Sequence, residues 1–160
     1  MAVDMFLKLD GIDGGSTDAK HRGEIDIESF SWGASNSGSA SHGGGAGAGK
    51  VSMQDFSFTA PVSTASPRLL LACASGQHIK QALFSARKFG AKQPDFLKIT
   101  MSDVLVSSFK QEGISEDDAP TDSVTFNFSK IHISYTTQRP DGGMGGSVDA
   151  GWDVKANGKI

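Results

Sequence analysis

Cysteine is nearly absent. Cys73 is the only one in 160 residues, so a disulfide within the chain is excluded, and folding in a reducing cytoplasm is compatible with that usage. Strong charge of one sign is also missing, since 15 Lys and Arg against 18 Asp and Glu leave a formal charge of -3. That balance argues against a nucleic-acid surface, which needs a basic face to displace counterions from phosphates, and against a polybasic membrane patch. No apolar run approaches the roughly 20 residues of a membrane-spanning helix. The opening residues Met1 to Phe6 lack a basic segment followed by a long apolar one, so no secretory signal peptide is expected. Glycine, by contrast, is plentiful at 20 residues. With short apolar runs around it, the composition points to β structure with long loops in a single domain, residues 1–160.

Most apolar runs alternate, as a strand with one buried face requires. Val3, Met5, Leu7 and Leu9 share one face of a first strand, with Asp4 and Lys8 on the other, and a turn-rich loop follows from Asp10 to Gly23. Further strands are predicted to begin near Glu24, Lys50, Ile79 and Phe96, with a long sixth from Thr121 to Thr137 and a last around Gly151 to Lys155. Four of these invert parity midway. Ile25 and Ile27 give way to Phe30 and Trp32, and Val51 and Met53 to Phe56 and Phe58. Leu97, Ile99 and Met101 give way to Val104 and Val106, and Val124, Phe126 and Phe128 to Ile131, Ile133 and Tyr135. Inversion requires a β-bulge or sharp bend, or burial on both faces. The readings are long strands bending between two sheets of a barrel, short strands joined by kinks, or burial against a neighbouring subunit.

One short helix is predicted after Ser66. Its hydroxyl suits an N-cap, Pro67 suits the first helical position, and Gly76 suits a left-handed stop. Leu69, Leu70, Cys73 and Ala74 form the apolar face, which makes Cys73 a buried structural thiol rather than a nucleophile. The expected fold class is therefore mostly β, a two-sheet β-barrel with bent strands and one short flanking α-helix.

Seven glycines run from Gly33 to Gly49 among serines and alanines. Such a stretch makes no core and is costly to order, which suits a surface loop that orders on a partner. Gly44, Gly49 and Lys50 meet part of a phosphate-loop pattern, but Val51 stands where Ser or Thr would hold magnesium, and the following residues alternate like a strand. His21, His42, His78 and His132 are too scattered for a metal site and read as surface or interface histidines. Asp10, Asp13 and Asp18 imitate a calcium loop, yet Ile12 occupies a ligand position. Glu116, Asp117 and Asp118 read as a solvated turn. No nucleophile elbow is present. No catalytic residue, cofactor or metal is expected.

Several motifs occur in order along the chain: Met1 to Phe6, Ser31-Trp32-Gly33, the serine-glycine loop, Gly47-Ala48-Gly49-Lys50-Val51, Gln54-Asp55 with Ser57-Phe58-Thr59, the Ser66-Pro67 helix ending at Ser75-Gly76, Val104 to Ser108, and Gly151-Trp152. Their order and spacing resemble the haemolysin-coregulated proteins, the tube subunits of type VI secretion. The resemblance implies homohexameric rings stacked head to tail into a tube inside a sheath, expelled with spike proteins and able to hold small effectors in its lumen. It implies a cytoplasmic protein that is secreted through the machine itself. Alternation turns Phe30 and Trp32 to the core and Ser31 the opposite way, so by the resemblance Ser31 is the candidate lumen contact for effectors. Gly38, Ser39, Ser41, Gly43, Gly44, Gly45, Gly47 and Gly49 form the candidate ring-stacking loop. A small-molecule-binding β-barrel carrier is the alternative, and a hydrolase on a β-sandwich ranks below it.

Overall fold

The computed structural model describes residues 2–38, 50–90 and 92–160. The elements in chain order are β1 (Val3–Leu9), β2 (Ile25–Ile27), β3 (Ser29–Asn36), β4 (Val51–Pro61), α1 (Ser66–Ser75), β5 (His78–Lys88), β6 (Asp95–Glu112), β7 (Thr121–Asn127), β8 (Lys130–Gln138), β9 (Met144–Asp153) and β10 (Gly158–Lys159). The fold is mostly β with one helix, as the alternation predicts.

β6 organises the sheet. One edge pairs with β5, and the other pairs first with β8, through Leu97 to Ser102, and then with β7, through Leu105 to Glu112. From β5 the ladder continues to β1 and β2; from β7 it continues to β4 and β3. Only Glu28 separates β2 from β3, and its N–H donates to the Thr59 carbonyl at 2.8 Å. The strands thus wrap around one core although the ladder is not hydrogen-bonded all the way round. β8, β9 and β10 continue away from β6.

The core is aliphatic and phenylalanine-rich. Phe56, Phe84 and Phe126 are fully buried, with Leu7, Ile99, Met101 and Val104 around them. The Phe30 and Phe84 rings lie 4.4 Å apart and those of Phe58 and Phe126 5.3 Å apart. Each such side chain contributes about 1.5–3 kcal/mol by leaving water.

Each parity inversion has a local cause. Asp55 and Phe56 of β4 stand opposite one residue of β3, Trp32, which is a β-bulge. β6 inverts where Asp103 takes a left-handed conformation, φ 53°. Here β6 exchanges β8 for β7 as its partner. The other two inversions are breaks. Glu28 divides β2 from β3, and the predicted sixth strand is two strands, β7 and β8, divided at Phe128 and Ser129. Ser129 N–H donates to the Ser102 carbonyl at 3.0 Å, so the backbone is redirected onto β6 at that break. The final strand starts earlier than predicted, at Met144, because its pairing with β8 extends almost to the Pro140 turn.

The helix stops as expected at Gly76, φ 71°, whose N–H donates to Ala72 O at 3.1 Å. Its start and phase differ from expectation. Ala65, not Ser66, is the N-cap residue and offers no side-chain bond. Ser66 is buried in the first turn, where its hydroxyl donates to Asp122 and accepts from the Ser63 N–H at 3.0 Å. Leu69 and Ala72 point inward, Cys73 is half-buried, and Leu70 and Ala74 are exposed. Packing on β6 therefore selects a face about one position away from the predicted one.

The Asp10–Gly23 loop covers the second face of β1 and buries Phe6 there. Gly14 makes the close approach possible: its N–H donates to Gly23 O at 2.7 Å, and a Cβ there would stand 2.6 Å from Glu24 O.

Candidate functional surfaces

Strand register arranges hydroxyl groups in two rows across four strands. Ser31 pairs with Ser57, Ser57 with Thr125, and Thr125 with Ser108. The second row is Ser29, Thr59, Ser123 and Lys110. The rows lie on the side opposite Phe56, Phe58, Val124 and Phe126, because neighbouring residues of a strand alternate. Ser29 Oγ and Thr59 Oγ1 are 2.6 Å apart, and Lys110 is paired with Glu112. Ser31 is exposed on this face, whereas Phe30 and Trp32 are half-buried against the core. Sequence reasoning found Ser31 alone. Its companions escaped notice because register, which only pairing defines, joins them.

Two largely apolar surfaces lie elsewhere, the second bordered by Lys88. A groove of about 360 Å³ between the β3–β4 hairpin and β8–β9 is lined by Trp32, Val51, Met53, Ile131, Ile133 and Trp152, among others. The Trp152 Nε1 is buried there without a hydrogen-bond partner among the described residues. Val3 at the start of β1, Phe89 just past β5 and Tyr135 within β8 are exposed beside Phe96.

The charged clusters are structural in form. His21 is buried rather than on the surface, with Nδ1 3.0 Å from Glu24, Nε2 3.0 Å from Asp95, and its ring stacked 4.2 Å from that of Phe6. Arg87, 5.0 Å from the Phe6 ring centre, donates to Asp4 and Asp18. Its hydrogen bond is the main reason the Asp18 carboxyl falls to about 2, against the opposing effect of burial. Beside the opposite end of β5, Asp103 accepts from His78 Nδ1 at 2.6 Å and from Ser129 Oγ at 2.8 Å. These bonds, the His78 one foremost, lower its carboxyl to about 2.

Among the described residues no three His, Cys, Asp or Glu side chains come together as a metal site, and no helix is long and apolar enough to cross a membrane. Gly38 is exposed, its N–H bonded to Asn36 Oδ1 at 2.7 Å. The other candidate stacking residues, Ser39, Ser41, Gly43, Gly44, Gly45, Gly47 and Gly49, lie outside the described residues.

The family model for "Type VI secretion system effector, Hcp" matches residues 6–135. Protein hcp1 of Pseudomonas aeruginosa is 45% identical over 159 residues, covering 98% of each chain. The crystal structure of Hcp1 from Salmonella typhimurium is 39% identical, with a TM-score of 0.84 over the full length of both chains. A structure described as a type six secretion system protein superposes with a TM-score of 0.92 at 29% identity, over 98% of this chain and 99% of that one. Matched by the family model over most of its length and by a relative over nearly all of it, the chain belongs to the Hcp family of type VI secretion system proteins.

Proposed function

We propose that this protein is the structural tube subunit of its secretion system, closing into rings of six that stack head to tail, and that it carries small effectors in the lumen. The observation that carries the reading is the presence of two different, largely apolar surfaces on one subunit. They are the groove of Trp32, Met53, Ile133 and Trp152, and the cluster of Val3, Phe89 and Tyr135. Heterologous assembly needs two unlike patches, one for each neighbour, and a closing rotation makes a ring. Apolar contact supplies affinity without requiring charge.

The hydroxyl face then lines the lumen, with Ser31 as effector contact. A hydroxyl-rich polar wall suits cargo that must be held and later released, because it offers hydrogen bonds without a large apolar area. Stacking through the Gly38–Gly49 segment, enclosure by sheath and spike proteins, and passage from the cytoplasm to the outside complete the reading. Work at surfaces needs no catalytic group.

The test replaces Ser31 with arginine and measures co-purification of an effector expressed from the same cell. Intact rings that retain markedly less effector are expected. Undiminished retention removes Ser31 from the lumen role. The groove also favours a second reading, an apolar small-molecule carrier, which requires a monomer in solution.

A further inference from the structure

The β6–β7 loop carries Glu116, Asp117 and Asp118, all exposed. None of the three makes an ion pair among the described residues. The loop is nonetheless shaped. Asp117 N–H donates to Ile114 O at 3.1 Å, and Gly113 sits so close to Pro120 that a Cβ would meet it at 3.2 Å. A turn fixed in this way presents its carboxylates together at low entropic cost.

An opposite feature lies on another part of the sheet. A cleft of about 490 Å³ is bordered by Lys80 of β5, Lys130 of β8 and Lys155 of the β9–β10 turn, together with Asp103 and Asp153. Lys130 is 3.9 Å from Asp153 and Lys155 is 3.5 Å from Asp103, both loose pairs whose lysines are exposed. Lys80 has no acidic partner among the described residues. The cleft therefore keeps one positive charge in excess and two lysines free to turn toward an incoming carboxylate.

The two features do not meet within one chain. Asp103 and Glu112 are nine residues apart on β6, about 30 Å at roughly 3.3 Å per residue, and the acidic loop begins beyond Glu112. We propose that the acidic loop of one copy docks in the lysine cleft of a second copy of this chain. The contact rests on the reading that copies assemble, and it adds a charged key to the apolar surfaces. Opposite patches select one register of approach and repel the others, which apolar contact alone does poorly. Lysines meeting Asp117 and Asp118 across the contact would be exposed pairs, so assembly would weaken with salt as the screening length shortens toward about 3 Å near 1 M.

The experiment is a charge swap read by native mass and electron microscopy. One variant carries Lys130→Glu with Lys155→Glu, a second carries Asp117→Lys with Asp118→Lys, and a third carries all four. Every position is exposed, so the fold tolerates each change. Either pair alone is expected to raise the concentration needed for assembly about tenfold, which is the effect of two or three modest pairs. The combined variant is expected to return close to the wild type. Circular dichroism confirms that each variant is folded. Assembly that ignores both pairs, or a combined variant no better than either, overturns this contact while leaving the tube reading intact. A wild-type chain that stays monomeric overturns both.

Discussion

Arg87 and Asp18, separated by 69 residues in sequence, form a two-pronged ion pair that fastens the β1–β2 loop to β5. One prong, Nη1 to Oδ1, measures 3.0 Å, and Asp4 accepts from the same guanidinium at 3.3 Å. The Arg87 side chain is almost wholly buried, so it depends on these carboxylates for the solvation it lost.

Acid stability follows from that pair. The folded chain holds the Asp18 carboxyl at about 2, below its ordinary 3.8. The unfolded chain therefore takes up the proton first as pH falls. The stabilisation is complete above about pH 4 and is lost as pH drops through about 2. Asp18→Asn should flatten that part of the unfolding profile. At neutral pH it should cost about 2–3 kcal/mol by leaving Arg87 with Asp4 alone. Thermal unfolding across pH 2–6 for both proteins checks it, and identical profiles would contradict it.

Phe56 tests the core. It is fully buried, and its ring lies 5.7 Å from that of Phe84 and 6.4 Å from that of Phe126. It is also the bulge residue of β4. Phe56→Ala should destabilise the subunit by about 3–5 kcal/mol, since the wrapped strands have little freedom to collapse into the space. Chemical denaturation of the variant measures this directly. A loss below 1 kcal/mol would show that the site relaxes.

The glycine-rich segment separates folding from stacking. Removing residues between Ser39 and Ala46 deletes little apolar area. It changes loop closure by only about 0.6 kcal/mol for each halving of length. Folding and ring mass should persist while tubes disappear from electron micrographs. Long tubes from the deletion variant would move the stacking contact elsewhere, and a variant that does not fold would place the segment in the core.

Much of this fold is legible in the residues because alternation is local. Val51, Met53, Phe56 and Phe58 announce both a strand and its inversion, and only the bulge opposite Trp32 needs the partner strand to be seen. The helix stop at Gly76 is legible for the same reason. What escapes is whatever depends on a distant partner. Ser66 looks like a cap until Asp122 takes its hydroxyl, and His21 looks superficial until Asp95, 74 residues away, reaches its Nε2. The hydroxyl face is half legible. Ser31 stands out between two aromatics, but its alignment with Ser57, Thr125 and Ser108 exists only in the register of four strands.

The central claim is that one subunit with two unlike apolar surfaces closes into a ring. Native mass spectrometry of the purified, untagged protein at micromolar concentration tests it most directly. The account predicts a dominant species at six times the subunit mass. A spectrum containing only the single-subunit mass would contradict it.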